Sequence, residues 1–381
     1  MKRNLGILMP PEEHAYNAPL LLGKPIHTYV EQAIADADIS LAATRPADST
    51  SLRALLAADL QCILLASDNA PCLSAKTYAA LLATAKDRPA AVLLADLQTP
   101  LAMALPAALL RALPDGLPAT LAAITDWLNS QSLAVKVVHE PDPDAYIAVT
   151  DARSFGQAYR AIHADILESH LQAGVVMLAP ENTIIEADVR IGEGTILYPG
   201  NTLQGSTVIG EGCILYPNNR LQSAVIGDGV TIESSVLIRC KVGAQTTVGP
   251  FAYLRPDAAI GEHCRIGDFV EIKNSAIGDG TKVSHLTYVG DSDLGKNINL
   301  GCGVVFVNYD GKTKNRSRVE DNAFIGCNCN LIAPVHIGKD AYIAAGSTVV
   351  EDVPDEALFV ARSRGVIKEE WVKRRKEQGK L

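Results

Sequence analysis

From about Val175 onward an aliphatic residue followed by glycine returns at near-multiples of six. The pairs are Ile191-Gly192, Ile209-Gly210, Ile226-Gly227, Val242-Gly243, Val248-Gly249, Ile260-Gly261, Ile266-Gly267, Ile277-Gly278, Leu294-Gly295, Leu300-Gly301, Ile325-Gly326 and Ile337-Gly338. Repetition by hexapeptides is the signature of a parallel β-helix. Each aliphatic side chain fills the core, while Gly, Asn and Asp accept the positive φ that the corners need. Stacked coils bury what one coil cannot. The spacing leaves the hand of the helix open, because the usual preference for right-handed crossovers is no guide in this architecture.

The preceding part of the chain has a different rhythm. From Asn4 to about Thr150, the runs "ISLAAT", "CILLASD", "AAVLLAD" and "LAVKVVHE" alternate with helical patterns such as "SAKTYAALLATAKD" and "PATLAAITDWLNSQ". Strands alternating with helices predict an α/β sandwich on a mostly parallel sheet. Residues 151–173 place Phe155, Tyr159, Ile162, Ile166 and Leu171 on one helical face, with Asp151 as N-cap and Gly174 as stop. The expected organisation is an α/β domain at 1–150, a connecting helix at 151–174, a β-helix at 175–353 and a C-terminal arm and helix at 354–381.

Charge and cysteine usage narrow the partners. With 381 residues, a net charge of -9 and a pI near 5.4, the chain is a poor match for nucleic acid or an anionic membrane, although local basic clusters can still hold small anions. The opening "MKRNLGILMPPEEHAYN" lacks a long apolar core, and no run approaches the roughly 18 apolar residues of a membrane span, so a cytoplasmic location is expected. Eight cysteines without paired CxxC spacing read as free thiols. Cys327 and Cys329 alternate as in a strand and could share a face, but two ligands make a weak zinc signal.

Within the array, "SHLTYVGD" (residues 284–291) interrupts the aliphatic rhythm with a histidine. The flanking segments "GPFAYLRPDA", "GDFVEIKNS", "SHLTYVGDSDLGKNINLGCG", "VNYDGKTK", "FIGCNCNLIAPV", "IAAGSTV" and "VARSRGVIKEEW" resemble, in order and spacing, the acetyltransferase domain of one bacterial family. That family is the bifunctional N-acetylglucosamine-1-phosphate uridyltransferase / glucosamine-1-phosphate acetyltransferases. The resemblance covers Gly249 to Trp371. It implies a left-handed β-helix, a homotrimer with sites between subunits, and acetyl-CoA as co-substrate.

Carried over residue by residue, the resemblance makes His285 the catalytic base. An amine attacks a thioester only when its nitrogen is neutral, and imidazole is the side chain whose ordinary pKa lies nearest neutrality. The resulting oxyanion needs a donor, which the family supplies from backbone near the Asn308-Tyr309 pair. Arg255, Lys273, Tyr288 and Lys314 match residues that hold the sugar phosphate, and Asn299 and Asn308 match residues that face the sugar and its amine. Cations suit a dianionic phosphate. Cys302, Cys327, Ala345 and Arg362 match the acetyl-CoA slot, where many relatives carry Ala and Ser in place of the two cysteines. A histidine of this kind, like His263, is otherwise a surface residue, and the charge run at 312–318 otherwise a solvated loop with Lys314 alone in a motif role. The final "IKEEWVKRRKEQGKL" reads as a polar helix, with Trp371 placed to cover a neighbouring subunit.

The front domain departs from the same family, which opens with a Gly-rich phosphate loop ending in Arg. Here "LGILMPPEEHAYNAPLLLGKPI" brings Pro10, Pro11, Glu12 and Glu13 instead, which remove donors and repel phosphate. The expected domain is therefore a shortened, degenerate nucleotidyltransferase-like, Rossmann-like fold whose uridyltransferase activity is lost. Asp68 in "LLASDNAPCL" matches a magnesium ligand, but its partner asparagine is replaced by Thr150, a poorer ligand for a hard cation. Asp68 is read instead as a cap of the turn or following helix, and magnesium is expected only if the uridylyl step survives. Alternatives are a bifunctional enzyme, a catalytically silent trimeric scaffold, and a zinc hydratase on the same helix. The last needs a His-x4-His pair that His263, His285 and His336 do not form.

Overall fold

Short apolar runs bounded by turns form the strands of the first unit in the computed structural model, which describes residues 3–10, 16–57, 59–86, 88, 90–94, 99–133 and 135–381. This unit comprises Met1–Ser169 and Ile185–Ala187, and the second comprises His170–Ile184 and Asp188–Leu381. In the first, strands β1 (Arg3–Met9), β2 (Ser40–Leu41), β3 (Leu60–Ser67), β4 (Ala90–Leu94), β5 (Pro100–Pro106) and β6 (Val135–Val138) lie in the order β2-β1-β3-β5-β4-β6. β1 runs parallel to β2 and β3, and β4 parallel to β6. β5 alone is antiparallel to both of its neighbours. The sequence reading missed β5: "PLAMALP" is bracketed by prolines and built from residues with little strand preference, yet burial on both faces holds it central.

Alternation along β3 sorts the core into two halves. Leu64 and Ala66 pack with Val30 and Ile34 of α1 (Ile26–Asp36) and with Tyr78 and Leu81 of α3 (Ala75–Ala85). Ile63 and Leu65 face the other side, against Leu52 of α2 (Ser49–Ala54), Leu110 of α4 (Ala107–Arg111) and Ile124 and Leu128 of α5 (Leu121–Ser130). Side chains two apart share a face, so one strand serves both helical layers. Helix α6 (Ala152–Gln172) follows, with the Asp151 carboxylate accepting the Ser154 amide at 2.7 Å and Gly174 at φ +86° ending it. Ile162 is buried and Phe155, Tyr159 and Ile166 pack beside it, but Leu171, the last residue but one of the helix, is exposed. Among the described residues no helix is long and apolar enough to cross a membrane.

The second unit is a parallel β-helix of three sheets with eleven, ten and nine strands. Leu215, Ile232, Val248, Ile266, Val283, Leu300, Ile325 and Ile343 are successive register partners, and all are buried. They are one column of the core read directly off the hexads. Many corners carry the expected Asn or Asp at positive φ, among them Asn218, Asp257, Asn274, Asp291 and Asn297. Others carry Ser, Arg, Gln, His or Glu, and three carry large apolar residues: Phe251 (φ +59°), Phe269 (φ +55°) and Leu286 (φ +46°) are bulky and more than half exposed. A left-handed conformation costs such a residue about 1–2 kcal/mol, and strain of this kind gathers at functional sites.

The cysteines correct one expectation. Cys329 is buried in the core while Cys327 sits exposed in the preceding turn, so the two do not share a face. The turn breaks the strand alternation from which a shared face was inferred.

Candidate active site

Because Val248, Ile266 and Val283 are register partners, Phe251, Phe269 and Leu286 occupy the same corner of three consecutive coils. The rings of Phe251 and Phe269 stack at 5.5 Å and 16°. Immediately before this corner, Asp268 and His285 are cross-strand partners one coil apart. Their contact is His285 Nδ1 to Asp268 Oδ1 at 2.5 Å. That bond, donated by the ring, holds the Asp268 carboxyl below the usual carboxylate range. A carboxylate only accepts, so the Nδ1 proton faces it and Nε2 is left with a free lone pair directed elsewhere.

Glycine sets this rung. A Cβ on Gly267 would run into the Ser284 carbonyl and backbone, so only glycine lets the two coils approach closely enough for Asp268 to meet His285. Gly267→Ala is expected to cost about 2 kcal/mol or more in stability, read as a lower melting temperature in thermal unfolding. A melting temperature unchanged from the parent would disprove the close-approach requirement.

Past the corner, Tyr253, Glu271 and Tyr288 align on three coils, and Lys273 aligns with Gly290. Arg255, two residues beyond Tyr253, continues the Lys273 column and binds Glu271 at 2.7 Å. Its guanidinium is held charged, above its ordinary range, by that carboxylate. Lys273 is brought beside Lys314, whose ammonium pushes Lys273 below the usual lysine range. Two like charges held together favour an anion between them. Gly290 carries no Cβ where one would collide with Tyr288 Oη and Asn308 Nδ2, which occupy that space.

Asp291, a residue the sequence reading quoted but gave no role, organises the group. It is 6% exposed, accepts from Asn274 Nδ2 at 2.6 Å and accepts from Asn308 Nδ2. Burial pushes its carboxyl up, but those two bonds together with the Lys273 and Lys314 charges outweigh burial and keep it below the usual range. Since Asn308 must turn its NH2 to this carboxylate, its Oδ1 is left as an acceptor. Tyr309 stands exposed in the same loop, its hydroxyl on the Gly311 carbonyl at 2.8 Å. Asp310 gathers the Lys312 and Thr313 amides, and Tyr309 bridges to Lys314. Arg316 grips Asp293, reaching Oδ2 at 2.6 Å, and reaches the Asn274 carbonyl at 3.0 Å. This corrects the solvated reading of the 312–318 run: Arg316 anchors the loop that presents Lys314.

Asn299 follows Lys282 in register, on the sheet that also carries His285, with Phe324 and Tyr342 continuing its column. Further up, Cys302, Cys327 and Ala345 each lie two residues past the aligned Leu300, Ile325 and Ile343, so they stack at one corner of three coils. Gly301 and Gly326 beneath them face the backbone of the next coil, and Arg362 Nη1 donates to the Ala345 carbonyl at 2.7 Å. Small side chains and an adjacent arginine form this strip.

Comparison with known proteins bears on this half of the chain. The family described as "Bacterial transferase hexapeptide (six repeats)" matches residues 239–274 and 316–350. The "Bifunctional protein GlmU" of Acetivibrio thermocellus is 50% identical over 245 residues, 64% of this chain and 53% of the relative. That of Clostridium perfringens is 58% identical over 211 residues, 55% of this chain and 46% of the relative. Over its second unit the chain is similar to GlmU proteins. Its second unit is accordingly a left-handed parallel β-helix of hexapeptide repeats. The chain spans about half the length of the GlmU relatives it matches. Among solved structures, Francisella novicida UDP-N-acetylglucosamine acyltransferase aligns at 20% identity and a TM-score of 0.36, over 52% of this chain and 73% of its own, too distant a likeness to bear on function.

The first unit holds a separate cleft of about 290 Å³, lined in part by Tyr16, His27, Arg45, Asp68, Asn69 and Thr150. Asp68 does not cap the following helix, whose N-cap is Ser74. It pairs instead with Arg45 at 2.5 Å. Burial pushes its carboxyl above the usual range, with Arg45 and His27 opposing. The cap expected on the following helix is absent because "SDNAPCL" inserts a turn before the helix begins at Ala75. Pro10 ends β1, and Pro11, Glu12 and Glu13 lie outside the described residues. Among those residues, no group of three or more His, Cys, Asp or Glu is arranged to hold a metal ion.

Proposed function

We propose that the β-helix unit transfers the acetyl group of acetyl-CoA to the amine of an amino-sugar 1-phosphate, with glucosamine 1-phosphate as substrate and His285 as general base. The observation that carries this reading is the single face on which a carboxylate-oriented imidazole stands one corner away from Arg255, Lys273 and Lys314. The phosphate sits against these cations as a dianion. Asn308 Oδ1 accepts an N–H of the amine, and Asn299 faces the sugar. The nitrogen attacks the thioester carbonyl, the new N–C bond forms, and the amine proton passes to His285 Nε2. A backbone N–H at Asn308-Tyr309 stabilises the oxyanion. As the C–S bond breaks, the imidazolium returns its proton to the coenzyme thiolate. Acetyl-CoA lies along the Cys302, Cys327 and Ala345 strip, with Arg362 available to its phosphates.

The exposed Phe251, Phe269 and Leu286 column beside His285 supports a site completed by another copy of the chain, as in the family's trimers. We assign the first unit a degenerate nucleotidyltransferase fold without uridylyl transfer: its aspartate is already neutralised by Arg45, and Pro10–Glu13 replace a donor-rich loop. The whole reading places the chain in the cytoplasm, supplying acetylated sugar phosphate for nucleotide-sugar and cell-wall synthesis.

The test is an acetyl-CoA consumption assay on the full chain with glucosamine and galactosamine 1-phosphates, followed by UTP, magnesium and the acetylated product. Release of coenzyme thiol with glucosamine 1-phosphate is expected, with no uridylyl turnover and a trimeric mass by light scattering. No acetyl transfer to any member of the panel would overturn the function. Uridylyl turnover at an ordinary enzymatic rate, on the order of 1–1000 per second, would overturn the loss of the second step.

A further inference from the structure

We infer that Asp268 is the positioning residue for His285: it fixes the Nδ1-protonated tautomer so that Nε2 faces the amine as base. The inference rests on the acetyltransferase reading only for its kinetic consequence, since the tautomer exists without substrate.

Three observations converge on Asp268. It is the cross-strand partner of His285, and the bond between Oδ1 and Nδ1 is 2.5 Å long. Glu271, on the following strand of the same coil, is engaged by Arg255 instead. Gly267 next to it has no room for a side chain, which pins the rung where the two residues meet. The backbone around the ring is also fixed. Thr287 Oγ1 donates to the His285 carbonyl at 2.7 Å, and the Leu286 amide donates to the Asp268 carbonyl at 3.0 Å.

Stability does not account for the pair. Both side chains are substantially exposed, 50% for His285 and 36% for Asp268. Exposed ion pairs contribute little to folding because solvent screens them. What the rung does provide is a choice between two imidazole tautomers that are otherwise close in energy. Only the Nδ1-protonated form leaves Nε2 able to take a proton. Replacing the carboxylate by an isosteric amide removes the charge and lets the ring adopt the unproductive form, as in other carboxylate–histidine pairs.

The experiment compares the full chain with Asp268→Asn and Asp268→Glu, each labelled with ¹⁵N-histidine, with the His285 resonances identified by their loss in His285→Gln. In the parent, Nδ1 of His285 carries the proton at pH above the ring's titration. In Asp268→Asn the Nε2-protonated form grows, kcat for acetyl transfer falls about 10- to 1000-fold, and KM for both substrates stays within about twofold. Asp268→Glu restores part of kcat, and melting temperatures stay together. An unchanged tautomer in Asp268→Asn overturns the inference, as does a shifted tautomer with unaltered kcat. A parent that acetylates no amino sugar would defeat the proposed function instead, and the tautomer measurement would still decide the role of Asp268.

Discussion

His285→Ala is expected to lower kcat for acetyl transfer by roughly 100- to 10,000-fold, the usual worth of a general base. Binding of both substrates should survive, because in the proposed mechanism the imidazole meets the reacting nitrogen rather than the phosphate or the coenzyme. The fold should survive too. The ring is half exposed at the end of a strand, so its removal opens no core cavity and the melting temperature should shift by little. Raising the pH adds a second signature: more of the amine becomes neutral without assistance, and the variant recovers part of its deficit. A variant with near-normal kcat but a trimer that melts early would make His285 a structural residue and remove the mechanism.

The double variant Lys273→Ala/Lys314→Ala is expected to raise KM for the sugar phosphate by about 100-fold or more. Charge-assisted hydrogen bonds contribute about 1.5–3 kcal/mol each, and each 1.4 kcal/mol is tenfold in affinity. The two ammoniums already push against one another, as the lowered Lys273 shows. Removing both relieves that repulsion but also takes two favourable charges from Asp291, which keeps its bonds from Asn274 and Asn308, and the larger loss appears when an anion binds. KM for acetyl-CoA should stay within about threefold, since the strip proposed for it lies higher on the helix at Cys302, Cys327 and Ala345. Initial-rate kinetics with each substrate varied in turn makes the measurement. An equal rise in both constants would assign the lysines to the coenzyme or to the fold, and would sink the phosphate role.

Much of the β-helix could be read before any coordinates, because its physical rule is local. A core position every sixth residue and a permissive residue at the corner are properties of the chain itself, and Ile266, Val283 and Leu300 obey them. The helical segment after Asp151 was legible for the same reason, through its cap and its apolar stripe. Strand β5 was not, since "PLAMALP" has weak strand preference and is extended only because β3 and β4 pair with it on either side. Asp68 misled in the same way. Its neighbours in sequence suggested a cap, while its actual partner, Arg45, is 23 residues distant.

The candidate site divides along that line. Sequence motifs alone singled out His285, Arg255, Lys273, Asn308 and Lys314, because their flanks resemble one family over more than a hundred residues. Which side chains orient them was decided by stacking. Asp268 lies 17 residues before His285 and Asp291 lies 17 before Asn308. Near-multiples of six therefore determine that coils exist, but register alone decides which residues share a rung. Close approaches such as Gly267 against Ser284, where an added Cβ would run into the next coil's backbone, are part of that register.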